Sequence, residues 1–397
     1  MKLTQIFKGD GPIWAVFFFL SLISIVEIFS SASQLSYKTG NFYSPLIRQV
    51  GFVFIGFVII SLISRIPCRF FKVLPIIMLP FSWFFLLYTL LFAKAVNDGA
   101  RWVEIGGISF QPSEIAKLSL IIYTAFILSA HQREDGVNGT TFKWIMFPTV
   151  VTCGLIFTEN FSTAVLLFGV ILLMMFVGRL PIKIFGKMIS FCVGVGILIF
   201  ASVKVLPSSF VNDNSLLHRA DTWVERISKF TEETSDDPKD YDFEANRQVA
   251  NANIAIASSN IVGLMPGNSV QRDFLSQPFS DFIFAIIIEE MGIWGATIVV
   301  ILYLVLIFRA WKIAARCKSN FPAFLMLGLS FMVVCQAMLN MMVAVGLFPV
   351  TGQPLPLISR GGTAFLLFSC YFGMMLSISA SAKRREPEAN LQMAAEG

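Results

Sequence analysis

The stretch Gln271 to Gly292, QRDFLSQPFSDFIFAIIIEEMG, sets a lone carboxylate at the boundary between polar and apolar chain. From Phe282 onward the sequence reads FIFAIII, so Asp281 falls at the threshold of a hydrophobic helix, where membrane meets water. A carboxylate partly withdrawn from water there holds a proton more tightly and is a better base. The same position suits a helix N-cap, for which Asp is a preferred residue. Glu289 and Glu290 lie about 80° and about 180° around that helix from Asp281, taking about 100° per residue, and read as structural groups. Glu114 and Lys117, three apart in SEIAK, share a helix face and can pair within a membrane. Lys117 is equally able to donate to a phosphate, and Arg101, ahead of the same helix, is a second phosphate ligand candidate. Glu27, late in the first apolar run, has no evident role.

The elements that must hold these groups are membrane helices. Of 397 residues, 56% are hydrophobic and only 14% charged, with 41 Phe and seven Trp, and the mean hydropathy is +0.73. No water-soluble fold of this size needs to hide so much apolar surface. Ten hydrophobic runs lie near 13–33, 46–65, 73–93, 112–130, 144–158, 161–178, 184–206, 282–308, 321–347 and 361–382. Glu159 and Asn160 divide the fifth from the sixth. With a cytoplasmic N-terminus, one set of connections carries 17 basic residues, whereas the short connections opposite hold only Lys38, Arg48, Lys94, Arg101 and Arg360. That bias follows the positive-inside rule and places both termini in the cytoplasm. The net charge of +5 therefore reflects membrane orientation, and no nucleic-acid partner is expected.

The expected fold is thus an all-α polytopic membrane protein: ten transmembrane helices, a single membrane domain over 1–397, a large extracytoplasmic loop at 207–280 between helices 7 and 8, and a short cytoplasmic tail at 383–397. The first run stays apolar too long for a cleavable signal, despite Ser31-Ala32-Ser33. Four cysteines fall in helices, Cys68 and Cys317 fall on the cytoplasmic side, and the large loop has none, which argues against a disulfide framework or a cysteine metal site. No internal repeat of the transporter kind is visible. Between Asp213 and Asp273 the loop carries eleven acidic and six basic residues; its acidic knot, Thr231 to Glu244, reads as a solvated segment. Leu216 to Ile227 has the spacing of an amphipathic helix on the membrane, and Asn246 to Gly263 mixes amides and small residues that favour close packing. Asn340 to Leu366 sets three prolines and four glycines between two spans, the pattern of a re-entrant or tightly folded segment whose backbone polar groups are satisfied inside the protein, as irregular backbone lining a cavity is.

Seven segments together resemble the SEDS family (shape, elongation, division and sporulation), typified by FtsW and RodA. They are Ile25 to Ser33, Asp98 to Leu118 (DGARWVEIGGISFQPSEIAKL), Thr158 to Ala164, His218 to Trp223, Asn251 to Gly263, Ser280 to Gly292 and Pro349 to Gly362 (PVTGQPLPLISRGG). The resemblance implies a ten-helix fold in the bacterial cytoplasmic membrane that polymerises lipid II, an undecaprenyl-pyrophosphate-linked disaccharide pentapeptide, into glycan strands at the outer face of that membrane. It implies that Asp281 is catalytic, which suits a general base for a sugar hydroxyl attacking a glycosyl pyrophosphate with inversion. Candidate substrate-binding residues are Arg101, Glu114, Lys117, Arg219, Gln248, Asn251, Gln271, Thr351, Gln353, Ser359 and Arg360. No cofactor is identifiable, although a divalent cation at the pyrophosphate fits the chemistry. The implied partners are a class B penicillin-binding protein transpeptidase and other divisome or elongasome membrane proteins.

The chain departs from the family pattern in places. Leu275-Ser276-Gln277 replaces a Leu-Pro-Glu stretch, Asn160 stands where an acid is frequent, Thr351 stands where division members sometimes carry Lys, and Arg360 in SRGG replaces a Tyr. LPLISRGGT leans toward division members. An elongation polymerase, a lipid II flippase and a noncatalytic scaffold for a transpeptidase are the competing readings.

Overall fold

A computed structural model describes residues 7–30, 43–92, 103–105, 108–134, 136–137, 139–190, 247–274 and 281–395, with positions 194, 224 and 228. The side chain of Arg101, Arg219, the acidic knot and most of the 207–280 loop lie outside the described residues. So do Cys192, the second half of the seventh run and most of the expected surface helix at 216–227.

The described chain is mostly helical, with helices α1 (Gly11–Ser30), α2 (Ser44–Ile63), α3 (Leu74–Phe92), α4 (Pro112–His131), α5 (Gly139–Glu159), α6 (Phe161–Val177), α7 (Arg247–Ser258), α8 (Ile283–Ala315), α9 (Asn320–Ala344) and α10 (Gly362–Ala395). Residues 182–190 are helical as well. Short antiparallel pairs, β1 (Val103–Ile105) with β2 (Ile108–Phe110) and β3 (Gln132–Arg133) with β4 (Gly136–Val137), sit at either end of α4. Among the described residues eight helices are long and apolar enough to cross a membrane, α6 is a shorter apolar helix, and α7 is neither.

Local chemistry explains the boundaries. Pro45 and Pro112 occupy first turns, where a missing N–H costs nothing. Asn160 caps α6 by accepting from the Thr163 N–H at 3.4 Å, so the division at Glu159 and Asn160 is real and the amide there is a helix cap. α10 continues through Ala395, so the tail expected to follow residue 382 extends the last helix.

Helix α8 differs most from its apolar pattern. Gly292 is non-helical at φ 66° and ψ −168°. It breaks α8 into 283–291 and 293–315, and a second segment of 23 residues is about 34 Å long, enough alone to cross a hydrocarbon core of about 30 Å. The first segment faces protein, since every residue from Phe282 to Glu290 is buried. FIFAIII is thus interior packing, and Asp281 opens a buried half-helix.

Packing assembles two groups of helices around the last connection. α8 lies against α9 and α1, α9 against α4 and α6, and α2 runs beside α10. Small residues permit the α2–α10 approach: a Cβ on Gly56 would stand 2.6 Å from Ser369 Oγ and 2.7 Å from the Phe365 ring, and one on Gly373 2.8 Å from Ile63.

Candidate active site

Asp281 is half-buried and sits one residue before the N-cap position of α8, which is Phe282 and offers no side-chain cap. Its backbone is fixed by α9. Asn340 Nδ2 donates to the Asp281 carbonyl at 3.0 Å and to the Gln353 carbonyl at 2.7 Å, so one buried amide joins the start of α8 to the proline-glycine segment. The Asn340 Oδ1 is buried and has no donor among the described residues. Gly352, at φ 67°, turns its bare Cα toward that carboxylate: a Cβ there would lie 3.7 Å from Asp281 Oδ2.

The segment from 345 to 361 is irregular yet closely bonded. Gln353 Nε2 donates to Thr163 Oγ1 of α6 at 2.6 Å, Gln336 Nε2 to the Pro354 carbonyl at 2.9 Å, and Tyr303 OH to the Pro356 carbonyl at 2.5 Å. Ser359 Oγ accepts from the Leu355 N–H at 2.7 Å, and Ser24 Oγ donates to the Ile358 carbonyl at 2.8 Å. Side chains from three helices, α1 (Ser24), α8 (Tyr303) and α9 (Gln336 and Asn340), thus take up backbone carbonyls that a helix would have satisfied internally. Leu357, buried at φ 64°, is held in a conformation that costs a non-glycine residue about 1–3 kcal/mol. The expectation of an irregular segment whose backbone polar groups are satisfied inside the protein describes it well.

Glu114 and Lys117 form the ion pair their spacing suggests, at 2.6 Å, with Lys117 fully buried. Lys117 also donates to Gln336 Oε1 at 3.1 Å. A continuous path therefore runs from Glu114 through Lys117 and Gln336 to Pro354, next to Gln353 and Asp281. A buried lysine with two protein acceptors buttresses this segment.

The other candidates fall in two places. Asn251, buried on α7, donates to the Phe274 carbonyl at 3.1 Å, and Gln248 lies exposed in the first turn of the same helix. The Gln271 and Val270 N–H groups donate to Glu289 Oε1 at 3.2 and 3.0 Å, and Ser269 Oγ donates to Oε2 at 2.5 Å. Glu289 is therefore structural, as its helical position suggests. Glu290 is too, bonded to Ser30 and 3.9 Å from Arg272; Glu27 is buried near that pair. Thr351, Gln353 and Ser359 are buried in the irregular segment, and Arg360 is exposed at its end. Residues that the sequence reading did not single out include Asn340, Gln336 and Thr163. The available signal was two amides one turn apart on α9 in an otherwise apolar helix. Among the described residues no group of three His, Cys, Asp or Glu side chains stands together.

The fold and this site define a polytopic membrane protein with a carboxylate packed against an irregular proline-glycine segment. The family model for FtsW, RodA and SpoVE, described as cell cycle proteins, matches residues 11–384, and the chain belongs to that family. It is 32% identical over 305 residues to the probable peptidoglycan glycosyltransferase FtsW of Bacillus subtilis strain 168, covering 76% of this chain and 72% of that protein. It is 29% identical over 378 residues to the protein of the same name from Pseudomonas fluorescens strain SBW25, covering 93% and 87%. Among solved structures it resembles a chain of a peptidoglycan synthase complex that coordinates polymerization and crosslinking, with a TM-score of 0.71 at 20% identity and coverage of 94% and 98%. It also resembles the rod shape determining protein RodA of Thermus thermophilus, with a TM-score of 0.64 at 19% identity and coverage of 94% and 96%. At those identities the likeness is one of fold.

Proposed function

We propose that this protein is a peptidoglycan glycosyltransferase that polymerises lipid II at the outer face of the bacterial cytoplasmic membrane, with Asp281 as general base. In the proposed step a hydroxyl of the acceptor sugar attacks the anomeric carbon of the donor, the bond from that carbon to the diphosphate oxygen breaks, and the diphosphate lipid leaves. Asp281 takes the hydroxyl proton, and a single displacement inverts the anomeric configuration. Carrying the proposal is the placement of Asp281: a half-buried carboxylate, with its backbone pinned by Asn340, against a glycine that leaves its face open. The names of the relatives support the reaction. The proposed topology has ten spans, both termini cytoplasmic and residues 207–280 outside. A class B penicillin-binding protein would cross-link the product, and the LPLISRGGT stretch favours a septal role over elongation.

The test is Asp281→Asn in the purified protein with its transpeptidase partner and labelled lipid II. Asn is nearly isosteric but accepts no proton, so glycan product should fall about 10²- to 10⁴-fold, with lipid II binding and thermal stability nearly unchanged. Normal glycan ladders from the variant would remove Asp281 from the mechanism. A lipid II flippase is the second reading, favoured by the broken helix at Gly292 with buried charges beside it, since transporters place such groups on discontinuous helices. Transbilayer movement of a labelled lipid in proteoliposomes, lost on changing Glu289 or Glu290 but not Asp281, would favour it.

A further inference from the structure

Arg48 and Arg360 stand outside the hydrogen-bonded site around Asp281. Arg48 lies in the second turn of α2 and Arg360 just before α10. The contacts of these helices bring the two to one corner. α2 and α10 run parallel, with the ring of Phe52 filling the space a Cβ on Gly362 would need and Gly56 meeting Phe365 and Ser369. Arg48 is one turn ahead of Phe52 on the same face, so the same ladder carried one step outward sets it over the residues preceding Gly362. An independent line agrees. Gln49 Nε2 donates to Ser24 Oγ at 2.9 Å, and Ser24 Oγ donates to the Ile358 carbonyl at 2.8 Å. Arg48 is adjacent to the first member of that chain and Arg360 two residues beyond the last.

Like charges so placed repel each other. Partial withdrawal from water and the nearby Arg48 lower the Arg360 guanidinium from its ordinary value. Among the described residues the ion pairs are Glu114 with Lys117, Arg272 with Glu290 and Arg309 with Asp10, and no carboxylate pairs with Arg48 or Arg360. Both are exposed. Arg48 stands about 6 Å inside the start of α2, at about 1.5 Å per residue, and Ile47, Val50 and Phe54 around it are exposed apolar side chains. Two cations therefore converge on the side of the chain that has few, at the rim of a lipid-facing helix. Charged groups there mark ligand sites, and basic pockets between membrane helices take lipid head groups.

We propose that Arg48 and Arg360 together bind the phosphate of a membrane lipid, their guanidinium forks bridging its oxygens. A phospholipid head group and a polyprenyl diphosphate share this chemistry. The site stands whether or not Asp281 is a base, and its test measures binding alone. The purified full-length protein, Arg48→Gln, Arg360→Gln and the double variant are titrated by native mass spectrometry with phosphatidylglycerol, with undecaprenyl diphosphate and with uncharged diacylglycerol. The double variant should bind one of the two phosphate lipids at least tenfold more weakly, with diacylglycerol unchanged. Loss confined to phosphatidylglycerol assigns the site to bulk lipid, and loss of the diphosphate assigns it to the carrier of the substrate. Equal affinities in wild type and double variant for both lipids overturn the proposal. Removing one of two repelling charges should also raise Tm in lipid-free detergent; a lower Tm there from both single variants would mean that the arginines hold the fold rather than a ligand, and would likewise overturn it.

Discussion

Asn340 shows how much one amide can decide. Its Nδ2 bonds two backbone carbonyls, those of Asp281 and Gln353, and both lose their donor if it is removed. Asn340→Leu should cost about 1–3 kcal/mol, the penalty for stranding a buried polar group, and should lower glycan synthesis at least tenfold by loosening Asp281; a melt and a polymerisation assay on one preparation measure both. Lys117 poses the same question with charge. Fully buried and bonded to Glu114 and Gln336, it leaves an unpaired buried carboxylate when changed to Met, at about 3–5 kcal/mol. Lys117→Met should therefore melt early, and Glu114→Gln with Lys117→Met together should recover the lost Tm. A Lys117→Met variant that melts normally yet makes no polymer would show instead that the lysine serves the diphosphate.

Among the elements, the break in α8 governs what surrounds Asp281. Gly292 meets Gly263 backbone to backbone, both in the left-handed region at φ 66° and 79°, and the Leu264 and Met265 N–H groups donate to the carbonyls of Glu289 and Glu290 at 2.9 and 2.8 Å. The loop after α7 thereby caps the buried half-helix. A Cβ at either glycine would collide with the facing backbone. Gly292→Ala should cost at least about 2 kcal/mol, from backbone strain of about 1–3 kcal/mol with the collision added. Gly154→Ala, in α5 with nothing within 4 Å of its would-be Cβ, should be neutral or stabilise by up to about 1 kcal/mol. Paired Tm measurements check the contrast.

For the whole molecule, orientation is the property on which function depends, because a site facing the cytoplasm could not build a wall outside. Asp10, at the mouth of α1, pairs with Arg309 near the end of α8, so the N-terminus shares a side with the α8–α9 connection. Cysteines introduced at Ser235 and Lys318, with Cys317 changed to Ser, should be labelled by an impermeant reagent from outside and inside respectively. The native Cys68 should stay silent: burial, the first cause raising its thiol above the ordinary value, persists without Cys317, and keeps it protonated at labelling pH. The reverse pattern at either introduced cysteine would sink the proposed topology.

The sequence by itself determined the membrane class, the division at Glu159 and Asn160, the Glu114–Lys117 pair and the irregular character of the proline-glycine segment. Each rests on a local cause: the cost of apolar surface in water, the spacing of a helix turn, or the backbone limits of Pro and Gly. It also marked Asp281, through the abrupt change from polar loop to FIFAIII. Only the tertiary structure decided what that change meant. An apolar run reads alike whether it faces lipid or protein, so the burial of residues 282–290 was not legible, nor was the break at Gly292, which is set by backbone approach to Gly263. Asn340, Gln336 and Thr163 escaped notice because an amide or hydroxyl in a membrane helix announces only that it needs a partner. Which partner it reaches depends on residues as far away in sequence as Gln353 is from Thr163, and no periodicity along the chain encodes that distance.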